Sequence, residues 1–120
     1  MQKELYNSLT KNYTLDEIQQ YIKDVIELRG FSNQPIEQQL LLLVEEVGEL
    51  AKSIRKEKTS MSIDKMKIKN YDSIESEVAD VFIVLTSICN NLGINMFEAI
   101  KEKEAENINR KWEKIKLRMK

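Results

Sequence analysis

Between Ile36 and Ile54 one stripe of apolar residues, Ile36, Leu40, Leu43, Val44, Val47, Leu50, Ala51 and Ile54, recurs at helical spacing. That spacing follows the 3.6-residue turn of an α-helix and does not fit the two-residue repeat of a strand. It recurs in Leu15, Ile18, Ile22, Val25 and Ile26, and again in Ile74, Val78, Val81, Phe82, Leu85, Ile88, Cys89 and Leu92. Phe97, Ile100, Ile108, Trp112, Ile115 and Met119 continue it to the end. Three glycines and one proline in 120 residues leave few places to break such helices.

The breaks fall where helices start and stop. Thr14 with Glu17 reads as a capping box, Gly30 as a stop, and Pro35 as the first position of a second helix. Asp72 with Glu75 opens a third helix by the same capping logic, Gly93 ends it, and Asn95 with Glu98 caps a fourth. The spacing predicts helices over about 14–29, 35–56, 73–92 and 95–118. No stretch carries a strand pattern, so the expected fold is all-α and four-helix-bundle-like, one domain over 1–120. Residues 1–13 form a polar lead-in, with one helical turn through Leu5, Tyr6 and Leu9. Residues 57–71 keep no period and form the longest loop.

Several chemistries drop out at once. There is no histidine, which removes His-based zinc sites, Ser-His triads and the Glu-x-x-His di-iron pattern. Cys89 is the only cysteine, so no disulfide forms within the chain, and a reducing cytoplasm fits. The net charge of -1 gives no bulk attraction to nucleic acid or membrane. No leader-like segment or uninterrupted apolar span is read in the sequence.

Acidic residues then stand out inside the apolar runs. "LLLVEEVGEL" (41–50) carries Glu45, Glu46 and Glu49 with no Lys or Arg among them. "EVGEL" (46–50) is echoed by "EVADV" (77–81). Glu46 and Glu49 share one face of the second helix, about 90° to 150° from the centre of its apolar stripe. Glu77 and Asp80 share a face of the third, about 70° to 130° to the same side. If the two helices pack antiparallel, the four carboxylates converge. Leu42 and Val84 lie on the same faces, which points to a half-buried cluster, and a solvated acidic flank is the plainer alternative. Carboxylates in a half-buried cleft call for a hard divalent cation such as Mg²⁺. Gly48 and Ala79 are small enough to allow close backbone approach on another flank. On the fourth helix Lys103, Asn107, Arg110 and Lys114 share one face, either a solvated basic surface or a polyphosphate contact. Trp112 reads as core or interface.

E-E-x-x-E followed by E-x-x-D on the next helix resembles the MazG-type nucleoside triphosphate pyrophosphohydrolases. The likeness runs through "LLLVEEVGEL", "SEVADVFIVL", "NNLGI" and "NINRKW". Twenty-seven residues separate Glu49 from Glu77, long for the family. The resemblance implies an all-α fold related to dimeric dUTPases, and hydrolysis of an NTP or dNTP to the monophosphate and pyrophosphate. It implies Mg²⁺, with Mn²⁺ as a substitute, held by Glu46, Glu49, Glu77 and Asp80. Glu45 matches the first acid of the motif, and Glu45 or Glu49 would act as the base. Lys103, Asn107 and Arg110 match residues near phosphate. The resemblance also implies a homodimer or homotetramer with sites near subunit interfaces.

Two rival readings remain at this point. One is a non-enzymatic helical interaction or regulatory module with a degenerate site, using Leu42, Val84 and Trp112 as partner contacts. The other is a nucleic-acid binder using residues 110–120, where six Lys or Arg stand against one Glu. Overall neutrality and the absence of a reading helix weigh against the latter.

Overall fold

A computed structural model describes residues 1–61 and 72–113. The described residues form five helices: α1 (Gln2–Ser8), α2 (Leu15–Leu28), α3 (Ile36–Lys58), α4 (Ile74–Asn91) and α5 (Met96–Asn107). No strand occurs among them, so the all-α expectation holds. No single helix among them is long and apolar enough to cross a membrane.

The helix ends follow local chemistry. The Glu17 amide donates to Thr14 Oγ1 at 3.1 Å, and the Thr14 amide donates to Glu17 Oε1 at 2.9 Å, which completes the expected capping box. Gly30 and Gly93 hold φ values of 82° and 68°. There the chain turns back, with Phe31 N–H on the Ile26 carbonyl and Ile94 N–H on that of Cys89. This is the six-to-one closure that favours glycine. Asn95 caps α5 through the Glu98 amide, as its sequence suggested. The α4 cap differs: Ser73, not Asp72, accepts from the Ser76 amide. Pro35 is the cap of α3 and not its first residue, and α3 runs on to Lys58 into the expected loop. Residues 62–71 of that loop lie outside the described residues.

The last helix is shorter than its period promised. α5 ends at Asn107, where 95–118 was expected. Asn109 Nδ2 donates to the Ala105 carbonyl and Trp112 Nε1 to that of Asn107, so side chains occupy carbonyls that a continuing helix would use. Lys114, Ile115 and Met119 lie outside the described residues.

Packing departs further from the pattern. Among the described residues the buried apolar side chains are Ile22, Val25 and Met96, which join α2 to the start of α5. A carboxamide clasp fixes that junction. Gln19 Nε2 donates to Asn90 Oδ1 (3.1 Å) and to the Ile94 carbonyl (2.7 Å), while the Met96 amide donates to Gln19 Oε1 (3.0 Å). The α3 stripe is not core within this chain: Leu40, Val44, Val47 and Ile54 are 57%, 63%, 49% and 40% exposed. Val78, Phe82 and Leu85 on α4 and Phe97, Ile100, Ile108 and Trp112 farther along are exposed as well. Among the described residues a Cβ at Gly48 would meet nothing within 4 Å and Ala79 is exposed, so neither marks a close helix approach within the chain.

The reason is the face that α3 turns to α4. Gln39, Glu46 and Ser53 fall seven residues apart, along one line of the helix. Gln39 and Ser53 are buried and Glu46 is half-buried. Asn91 Nδ2 donates to Gln39 Oε1 (2.7 Å) at one end, and Ser53 Oγ to the Asp72 carbonyl (2.8 Å) at the other. The start of α3 therefore meets the end of α4, and the two run antiparallel. Polar bonds at both ends set this orientation, which leaves the aliphatic stripes on the outside.

Candidate metal centre

Glu46 sits midway along that polar line. α4 brings Glu77 and Asp80, one turn apart, to face it. One carboxylate oxygen from each of Glu46, Glu77 and Asp80 lies within 4.8 Å of the others. At that separation each ionised pair repels by about 3 kcal/mol for an effective dielectric near 20. Among the described residues no ion pair reaches any of the three, and carboxylates this close are costly without a cation.

Burial adds to that cost. Glu77 is only 3% exposed, and among the described residues its Oε2 has no hydrogen-bond partner. Its carboxyl is pushed above the ordinary value of 4.5, first by burial and then by the charges of Asp72, Asp80, Glu46 and Glu49. The Glu46 carboxyl is raised in the same way, by burial and then by Asp80, Glu49, Glu45 and Asp72. Native proteins seldom leave a buried carboxylate oxygen unpartnered. A divalent cation satisfies that atom and cancels the repulsion together. The donors are all oxygen, the set that suits Mg²⁺ or Mn²⁺ and not zinc.

The other expected site residues are placed differently. Glu49 is half-exposed beside the trio, with its Oε1 3.5 Å from Lys52 Nζ. Glu45 is exposed. Lys103 pairs with Glu106 at 3.1 Å on the exposed side of α5. Asn107 closes α5, and Arg110 lies past its end with its guanidinium 6.0 Å from the Trp112 ring centroid. Lys103, Asn107 and Arg110 thus do not share one helical face, because the helix stops before Arg110. α5 packs mainly on α2, whereas the acids lie between α3 and α4. Asp72 is the acid that sequence reasoning missed. It was read as a cap, yet its charge bears on both Glu46 and Glu77. Its position five residues ahead of Glu77 is the only signal that could have marked it.

The sequence profile of the MazG nucleotide pyrophosphohydrolase domain matches residues 34–114. The chain belongs to this family. The matched segment spans α3, α4 and α5 and contains every acid of the cluster. No curated protein matches the chain. In this MazG domain the E-E-x-x-E acids lie on α3 and the E-x-x-D acids on α4. Glu46 is the α3 acid brought to Glu77 and Asp80.

Proposed function

We propose that this MazG domain is a Mg²⁺-dependent pyrophosphohydrolase that cleaves an NTP or dNTP to the monophosphate and pyrophosphate. The observation that carries the reading is the convergence of Glu46, Glu77 and Asp80 within 4.8 Å, with a buried, unpartnered oxygen on Glu77. These three, with Glu49 beside them, would hold Mg²⁺, or Mn²⁺ in its place. The ion would supply positive charge to the triphosphate and Lewis acidity for hydrolysis at the α-phosphorus.

The chain's own groups do the rest. Glu49 is the better placed of the two candidate bases, because its charge reaches both Glu46 and Glu77. Its Oε2, the oxygen other than the one near Lys52, takes the proton from the attacking water. Glu45, more exposed, is the second candidate. Lys52 is the cation already beside the acids and meets phosphate charge once Glu49 turns to water. Lys103, Asn107 and Arg110 serve phosphate across a subunit interface, since α5 packs on α2 within one chain.

We infer that the chain works as a homodimer or homotetramer through the outward stripes of α3 and α4. The apolar residues left uncovered are the ones that a second copy would cover. Leu42 and Val84 are half-buried inside one chain, so the interface rests on Leu40, Val44, Val47, Val78 and Phe82 instead. A reducing, cytoplasmic setting suits the lone Cys89.

The test is pyrophosphate release from a panel of NTPs and dNTPs with and without Mg²⁺, in the wild type, Glu46→Gln and Asp80→Asn. Release that needs Mg²⁺ and falls at least about 100-fold in both variants is expected. Wild-type rates in both variants would remove the cluster from catalysis.

A further inference from the structure

We propose that Gln19 is a positioning residue for the reaction: its side-chain amide fixes the angle at which α5 leaves α4, and so where Lys103, Asn107 and Arg110 stand against the substrate's phosphates. This rests on the reading above that α5 serves phosphate across a subunit interface. Gln19 lies on α2, outside the segment 34–114 that matches the MazG profile. α4 and α5 meet at 96°, across the corner formed by residues 92–95. Each helix closes on its own side of that corner. The Ile94 amide returns to the Cys89 carbonyl, and Asn95 caps α5 through the Glu98 amide. Neither bond joins α4 to α5, so neither sets the angle between them.

Gln19 does join them. Its Nε2 donates to Asn90 Oδ1 on α4 at 3.1 Å and to the Ile94 carbonyl in the corner at 2.7 Å. Its Oε1 accepts from the Met96 amide, at the start of α5, at 3.0 Å. Asn90 Nδ2 completes the set by donating to the Gln19 main-chain carbonyl at 3.2 Å. The Met96 N–H is one of the helix-start donors that no carbonyl of α5 can reach. These bonds are directional, whereas the apolar seat of Met96 is not.

The corner turns a lever. Among the described residues burial pins α5 at Met96, and residues 97–106 are exposed. The 12 residues of α5 make a rod of about 18 Å, so a turn of about 10° at the corner moves the far end by about 3 Å. A misplacement of about 1 Å can cost about 100-fold in rate. Gln19 is 8% exposed, with both side-chain N–H donors and its oxygen engaged, which holds the amide in one orientation.

The experiment is a double-mutant cycle on the full chain, reading Mg²⁺-dependent pyrophosphate release for wild type, Gln19→Met, Arg110→Ala and the double variant. Gln19→Met keeps the side-chain length and removes the bonds to Asn90, Ile94 and Met96. Each single variant is expected to lower kcat/KM about ten-fold or more. In the Gln19→Met background Arg110→Ala should cost less than about three-fold, because a displaced Arg110 has little left to lose. The Mg²⁺-induced rise in Tm should match wild type in all three, because the acid trio lies between α3 and α4. A double variant that shows the full product of the single effects overturns the assignment, as does wild-type kcat/KM in Gln19→Met, and both leave the pyrophosphohydrolase reading intact. No effect of Arg110→Ala in either background overturns it by removing α5 from the phosphates. Asn90→Ala is the milder variant if Gln19→Met does not fold. It frees the Gln19 amide from α4 and should show the same non-additivity with Arg110→Ala, and additive effects there overturn the proposal. A distance measurement needs no turnover: spin labels at Glu75→Cys and Glu104→Cys, both exposed, with Cys89→Ser as background. Gln19→Met should shift or broaden the distance distribution by about 3 Å or more. An unchanged distribution overturns the proposal. A shifted distribution in a protein that releases no pyrophosphate from any nucleotide supports the bracket and places the failure in the reaction.

Discussion

Ser53 Oγ donates to the main-chain carbonyl of Asp72 at 2.8 Å and fastens the start of α4 to α3. Ser53 lies two turns beyond Glu46 on the same line of α3, and Glu77 and Asp80 follow Asp72 on α4. One hydroxyl thus helps to set the register that brings the three acids together. Ser53 is 1% exposed, so water cannot replace it. Ser53→Ala leaves a carbonyl unpaired and should cost about 1–3 kcal/mol in urea unfolding. It should also weaken Mg²⁺ binding measured by calorimetry. An unchanged unfolding midpoint would show that the bond does not anchor α4.

Removing one charge from the acid trio should help the metal-free protein and harm the metal-bound one. Glu77→Gln keeps the shape and eliminates the carboxylate with the unpartnered oxygen. Its metal-free stability should rise by about 1 kcal/mol or more, given the size of the repulsion it relieves. The Mg²⁺-induced rise in melting temperature should shrink sharply. Glu104→Gln on exposed α5 is the control and should change neither. Equal Mg²⁺ shifts in Glu77→Gln and wild type would exclude Glu77 as a ligand.

The helices, their caps and the acidic echo between 46–50 and 77–81 were legible in the sequence, because period and capping are local. Thr14, Gly30, Gly93 and Asn95 each do what their residue type suggests. What buries what was not legible. An aliphatic stripe signals burial, but does not say whether its cover is the same chain or another. Leu40 and Val44 face outward here because Gln39 and Ser53 claim the α4 side through hydrogen bonds. Those bonds pair residues 52 and 19 positions apart, and no local pattern encodes them. The end of α5 was overrun because Ile108 and Trp112 continue the apolar spacing, whereas Asn109 stops the helix through its side chain.

Stability of the metal-free protein should depend on pH through Glu46 and Glu77. Both carboxyls are raised above 4.5 in the fold, chiefly by burial. The native state then binds these protons more tightly than the unfolded chain, so protonation favours folding. That contribution is complete below pH 4.5 and is lost as pH rises through the raised values. Melting curves without metal should show wild type losing stability, relative to Glu46→Gln/Glu77→Gln, as pH rises from 4.5 to neutrality. Saturating Mg²⁺ should flatten the difference at neutral pH. Parallel curves for wild type and double variant would deny the two groups this role.

The outward stripes make an assembly prediction. Val44→Asp with Phe82→Asp places charges on exposed positions of α3 and α4, where one chain alone would tolerate them. Sedimentation should show wild type at twice or four times 14.1 kDa and the double variant near 14.1 kDa. Gly48→Ala adds a second check. With open space around it, alanine should stabilise an isolated α3 by about 0.5–1 kcal/mol. A second copy packed closely on that face would reverse the sign. Wild type at 14.1 kDa across micromolar concentrations contradicts the assembly.

Hydrolysis in ¹⁸O-labelled water, with products resolved by mass, tests the central claim most directly. The reading of Glu46, Glu77 and Asp80 as a Mg²⁺ site serving attack at the α-phosphorus predicts two products, the monophosphate and pyrophosphate. The label should be in the monophosphate alone, and turnover should stop when Mg²⁺ is chelated. Label in pyrophosphate, release of orthophosphate with a diphosphate, or no turnover of any NTP or dNTP would contradict it.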